Sequence, residues 1–312
     1  MSKPSIFAAE EQIIKRADGI LKDEQYLSNP LFSEFSDLLT SYKKSYKQIK
    51  RLVKLSDKQQ ARLNELNETL ETENVQLMMD LGQSFEGFVR ALSIAVDAKH
   101  PLTAGHSNRV TEYSMFLGER IGLSEDELEL LKYSALLHDI GKIGVPDDVL
   151  TKKGRFDDEE RTIMNQHTVW TYRIISDINL PKAFAHVPDI ASCHHEKLDG
   201  TGYPYGLKGN QIPFFSRILA VSDVFDALTS LRDYPKYDGE ENFGFDPMSM
   251  NRSFSILQKN SGSHFDPEIV ATMLKERPSF EDLWQQLYSD YMDRQTEVFD
   301  VTDIKKTLQS TK

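Results

Sequence analysis

Apolar side chains recur at three- and four-residue spacing along most of this chain, and clean strand alternation is scarce, so the pattern predicts an all-α protein. Residues 1–42 mix Ile, Leu, Phe and Tyr with charges around Pro30 and read as short helices. From Tyr42 to Asp80 there is no Pro and no Gly. Leu63, Leu66, Leu70 and Leu77 fall at heptad a and d positions that continue backwards to Ile49 and Leu52, with Ser56, Gln59 and Glu73 interrupting the seam. This predicts one long helix with a parallel partner, a homodimer through residues 43–80, and Gly82 as the end or bend of that helix. Ser124 and Glu127 form a capping-box pattern opening a helix that runs to His138. Asp157 and Glu160 open the next, through His167 to Asp177. Ile190–Lys197 and Phe215–Leu231 are further apolar-periodic stretches without breakers, and an aromatic-bearing helix follows Pro278.

These segments predict three parts: an N-terminal helical region, 1–84, ending in the coiled-coil-like helix; a central domain, 85–277; and a C-terminal helix and tail, 278–312. A length of 312 residues suits about two domains. With 37 Lys+Arg against 49 Asp+Glu the net charge is −12, which argues against coating of DNA, since that needs cations to neutralise phosphates. One small anion is still acceptable, because local cations or metals override the net charge. No stretch reaches the ~18 apolar residues of a membrane span, and no secretory signal is visible. Cys193 is the single cysteine, which excludes an internal disulfide and a thiolate zinc finger; a small buried apolar role and a cytoplasmic location are expected.

The chemistry sits in the histidines. Of eight, His106, His138, His167, His194 and His195 lie in helical segments beside acids or each other. Imidazoles with carboxylates suit Fe, Mn, Zn or Ni, whereas a bare Mg site would be mostly oxygen. Asp139 adjoins His138, so its carboxylate is placed to bridge two ions while the imidazole binds one. Gly141 is expected to break the helix and let Lys142 swing towards a bound anion. His194 and His195 would lie about 100° apart on a helix. Asp223 sits in an apolar helix, where a ligand role would remove the cost of burying a lone carboxylate. Singly, each has a plainer reading as a hydrogen-bonded core histidine or a cap; jointly they suggest a metal centre. Arg109 is expected to pair with a carboxylate, Arg155 to lie in a solvated turn, and His100, His186 and His264 to be structural or exposed.

In order along the chain, His138-Asp139-Ile-Gly-Lys142, His167, His194-His195-Glu196 and Asp199-Gly-Thr-Gly-Tyr203-Pro204 resemble the HD-GYP domain family, as do Ala220 to Ser230 and Phe265-Asp266-Pro267. The resemblance covers residues 85–275 and implies an HD-type helical bundle of the HD phosphohydrolase superfamily. It implies a bacterial phosphodiesterase that opens cyclic di-GMP to the linear dinucleotide, GMP, or both. Carried over by position, it implies metal ligands at His106, His138, Asp139, His167, His194, His195 and Asp223. It further implies phosphate contacts from Lys142 and Arg232, with Tyr203 on the substrate side.

Two departures stand out. Members with three metals carry a glutamate where this chain has Leu102, so two divalent transition ions are expected, Fe or Mn first and Ni or Zn as alternatives. The family also carries a second cation where this chain has Pro235 in Arg232-Asp-Tyr-Pro235. The expected reaction is attack by a hydroxide activated by two metals, with Asp139 and Lys142 at the reacting phosphate. The alternative is a binding module that keeps the fold and metals but signals to protein partners by occupancy.

Overall fold

A computed structural model describes residues 6–99, 105–230, 237–238, 241–242 and 247–296. The chain divides into two compact units, Met1–Gln83 and Ser84–Lys312. In the first, helix α1 (Ala8–Leu21) packs against α2 (Phe32–Lys99). Phe7 stands edge-on to Tyr46, Glu11 pairs with Lys50 at 2.6 Å, and Asp18 pairs with Lys43. Ile49, Leu52, Leu63, Leu66, Leu70 and Leu77 of α2 each leave 47–65% of their area exposed. Contrary to expectation, α2 does not end at Gly82. A glycine inside a helix costs only about 1 kcal/mol relative to alanine, and the helix formers on both sides carry the ladder through it.

The second unit begins with the last turns of α2 and continues through α3 (His106–Ile121), α4 (Glu125–Leu137), α5 (Asp147–Leu150), α6 (Asp158–Asn165), α7 (His167–Ser176) and α8 (Val187–Ser192). Then come α9 (Phe214–Thr229), α10 (Met250–Lys259), α11 (Pro267–Lys275) and α12 (Arg277–Thr296). The described strands are β1 (Tyr237–Asp238) and β2 (Glu241–Asn242), paired antiparallel. This is an all-α fold. Both capping boxes form: the N–H of Glu160 donates to Asp157 at 2.9 Å, and the N–H of Ser124 donates to Glu127 at 2.9 Å.

Helix α4 is buried on two sides, which fixes it as the central element. Leu131 and Ala135 join Tyr113 of α3, Phe225 of α9, Phe254 of α10 and Phe280 of α12. Leu136 and Leu137 join Val89 and Val96 of α2, Ile175 of α7 and Val187 of α8. Each such large apolar side chain contributes about 1.5–3 kcal/mol on burial. The helices that carry the histidines are therefore held from both clusters.

Two helical expectations are corrected. The segment from Asp157 to Asp177 is two helices, α6 and α7, interrupted at Gln166. Nδ1 of His167 and Oγ1 of Thr168 donate to the carbonyls of Met164 and Asn165, so side chains replace the backbone ladder there. Residues 190–197 are not one helix either; α8 stops at Ser192, before the paired histidines.

Candidate metal centre

Three of the histidines stand just after the ends of helices. His138 caps α4, His167 follows the cap of α6, and His194 lies two residues beyond α8. A helix end leaves carbonyls without partners, and each ring takes one three residues back: His138 Nδ1 donates to Ala135 at 2.6 Å, His167 to Met164 at 2.7 Å, His194 to Ala191 at 2.6 Å. A carbonyl can only accept, so Nδ1 carries the proton and Nε2 is left bare. His106 reaches the same state differently. It opens α3, and its Nδ1 donates to Asp226 Oδ2 at 2.7 Å, while Arg109 clamps that carboxylate through Nε at 2.7 Å and a terminal nitrogen at 3.0 Å. The Nε2 atoms of His106, His138, His167 and His194 are all buried without a hydrogen-bond partner.

Two carboxylates stand among these bare nitrogens. Asp139 Oδ2 lies 3.5 Å from His106 Nε2 and 3.4 Å from His138 Nε2. Its other oxygen, Oδ1, lies 3.5 Å from His167 Nε2 and 4.0 Å from His194 Nε2. Asp223 repeats this, with Oδ1 3.3 Å from His106 and Oδ2 3.8 Å from His195 Nδ1. Two donor groups could each hold a cation, His106–His138–Asp139 and His167–His194–His195. Four orphaned buried nitrogens and two spanning carboxylates fit divalent transition ions: a buried polar group without a partner is costly, and a metal supplies the partner.

The charges of four of the five rings and of both carboxylates agree with that fit. Burial pushes His138 down, and holds His167 and His194 at about 4, so these rings are neutral, as ligands must be. Burial and the neighbouring His194 hold His195 well below the usual imidazole range. Burial would lower His106 too, but the three carboxylates around it, Asp139, Asp223 and Asp226, override it and hold that ring well above its ordinary value. Burial would raise Asp139 and Asp223; the Lys142 ammonium beside the first, and His106 beside the second, keep both ionised.

Of the remaining expected residues, Lys142 pairs with Asp139 Oδ2, and the half-buried Tyr203 ring lies 4.9 Å from that of His195. Arg232 and Leu102 lie outside the described residues. Gly141 serves differently from the expectation: α4 has already ended, and what the glycine supplies is space. A Cβ on it would come within 1.9 Å of the His167 carbonyl, where the chain after α4 meets α7.

Three features of the site go beyond what the sequence pattern predicts. Asp226 sits one helical turn after Asp223 on α9, a spacing that shares a face and was a usable signal. Glu196, next to the paired histidines, accepts backbone N–H groups from Tyr205, Gly206 and Leu207 at 2.6, 3.1 and 3.0 Å, and so ties the Gly-Tyr-Pro loop to the site. Arg155, Arg161 and His264 line a cavity that opens at His194 and His195, and no local spacing announces this.

Comparison with known proteins agrees with the motif set. A family model described as an HD domain matches residues 90–269. A 3'3'-cGAMP-specific phosphodiesterase of Vibrio cholerae is 36% identical over 208 residues, covering 67% of this chain and 38% of that protein. A cyclic di-GMP phosphodiesterase of Thermotoga maritima is 38% identical over 184 residues, covering 59% of this chain and 47% of that protein. The chain thus spans less than half the length of these two relatives. Among solved structures, a cyclic GMP-AMP-specific phosphodiesterase of Vibrio cholerae aligns with a TM-score of 0.46 and 22% identity, covering 64% of this chain and 52% of that one. Among the described residues no helix is long and apolar enough to cross a membrane. By the family match and its ordered motifs, the chain belongs to the HD-domain family, in its HD-GYP branch.

Proposed function

We propose that this chain is a metal-dependent cyclic-dinucleotide phosphodiesterase that opens cyclic di-GMP to the linear dinucleotide. The observation that carries the reading is Asp139: one carboxylate faces a histidine group with each of its oxygens. His106, His138, His167, His194 and His195, with Asp139 and Asp223, would hold two divalent ions, Fe or Mn. Such ions supply Lewis-acid activation of water and of the phosphoryl oxygen. The chain's own residues do the rest. Lys142, held beside Asp139, neutralises a non-bridging oxygen of the phosphate being cut. Arg232 is assigned a second phosphate contact. The loop of Tyr203, anchored by Glu196, places an aromatic ring next to His195 on the substrate side. The exposed leucines of α2 support a homodimer in which residues 43–80 pair.

The relatives are named for two substrates, cyclic di-GMP and 3'3'-cGAMP, so both belong in the test. Protein purified with its native metal is incubated with each, its metal content is measured, and linear product is followed by chromatography. Linear product from cyclic di-GMP, lost in His138→Ala and Asp139→Ala variants, is the expected result. Tight binding with no product from either ring would replace the enzyme with a sensor, the reading that Pro235, standing where the family carries a cation, favours.

A further inference from the structure

A cavity of about 640 Å³ opens from His194 and His195, a size ordinary for a small-molecule site. Its lining mixes apolar surface with charge: Asp158 and Glu196 bring carboxylates to it, and Lys197 a cation. Val224 and Leu228 of α9 and Ile256 of α10 give it apolar surface. Arg155, in the turn before α6, and Arg161, inside α6, bring guanidinium groups to it.

The helix dipole of α6 does not account for these cations. A cation near a helix N-terminus gains nothing from the macrodipole, which favours anions there. The acids of that turn serve the helix itself. Asp157 accepts the N–H of Glu160, and Glu160 pairs with Lys152 and accepts the N–H of Asp157. In a chain of net charge −12, this lining sets Arg155, Arg161 and Lys197 against Asp158 and Glu196. Glu196 is already engaged by the N–H groups of Tyr205, Gly206 and Leu207, so cations beside an apolar surface at the mouth of a metal centre form a local site for an aromatic anion.

We propose that Arg155 and Arg161 hold the second phosphate of the cyclic dinucleotide, the one that is not cut, while Val224, Leu228 and Ile256 receive one of its bases. This rests on the cyclic-dinucleotide reading above. The ring carries two phosphates, so when one lies at the histidines the other must be carried elsewhere in the same cavity. The segment after α9 has Pro235 where a second cation is expected. The loop before α6 and α6 itself supply cations from an earlier part of the chain. Arg155 and Arg161 are thus determinants of ring size and charge, and the metal centre is indifferent to them.

The test is calorimetric binding to the metal-loaded full chain, comparing wild type with an Arg155→Gln/Arg161→Gln double variant of equal metal content. Cyclic di-GMP should bind at least about tenfold more weakly to the variant, a loss of ~1.4 kcal/mol. Inorganic phosphate, which reaches the metal centre alone, should weaken less than about twofold. An Arg155→Lys/Arg161→Lys variant should recover most of the affinity for the ring, since charge is retained. Equal weakening of both ligands, or no change in either, overturns the subsite. Because the readout is binding, absence of turnover in the wild type would sink the enzymatic reading and leave the subsite standing or falling on the affinities alone.

Discussion

His106 and Asp226 form a buried pair: Nδ1 lies 2.7 Å from Oδ2, and both side chains are about 1% exposed. Asp226 orients a ring whose other nitrogen faces Asp139 and Asp223, and Arg109 keeps the carboxylate charged. Outer partners of this kind typically control metal affinity by about 10–100-fold. Asp226→Asn keeps the shape but removes the charge. It should lower metal affinity by about that factor, read by competition with a chromophoric chelator. Unchanged affinity would reduce the pair to a brace between α3 and α9.

Glu196 offers a second case of a charge used for positioning. Glu196→Gln replaces a carboxylate serving three N–H donors with an amide that has one accepting oxygen. Leaving buried donors unmatched costs about 1–3 kcal/mol. The melting temperature should fall accordingly, and tryptic cleavage after Lys197 or Lys208 should accelerate as the loop loosens. Wild-type behaviour in both assays would show that the loop holds itself.

Glycine positions give a paired test. Gly141→Ala should lower stability by at least about 3 kcal/mol, because the new methyl collides with backbone and not with a side chain that can move. Gly82→Ala meets nothing within 4 Å and should stabilise by about 0.5–1 kcal/mol. Denaturant midpoints measure both. Equal effects at the two positions would contradict the described approach of the chain after α4 to α7.

Acid should destabilise the metal-free protein early. His167 and His194 are near 4 when folded and near 6.5 when unfolded. Their contribution is present above pH 6.5 and is lost as pH falls towards 4, because the unfolded chain takes up protons first. His106, raised in the folded state, has the opposite sign, but it is one ring against four, since His138 and His195 are lowered as well. The melting temperature of chelator-treated protein should therefore drop between pH 6.5 and 4, and bound metal should hold it up at pH 6. A flat profile over that range would mean these rings are not buried neutral.

The seam of α2 predicts association. Leu63→Lys with Leu70→Lys puts charges where the heptad pattern wants apolar contact. Sedimentation velocity should show a dimer for the wild type and a monomer for the double variant. A wild-type monomer at micromolar concentration would assign the exposed leucines another role.

The sequence alone carried the all-α class, the capping boxes and the identity of the ligand candidates, because periodicity and side-chain chemistry are local properties. It misjudged the ends of α6 and α8, since helix boundaries depend on which side chains capture the last carbonyls, and those captures occur only in the folded site. Three histidines with no common spacing share one device, a ring nitrogen spent on a carbonyl three residues back. Tertiary structure decided which oxygen of Asp139 faces which histidines, gave Asp226 to His106, and brought Arg155 and Arg161 to the same cavity as His194. Those are relations between segments distant along the chain, and packing around α4, not local pattern, sets the distances between them.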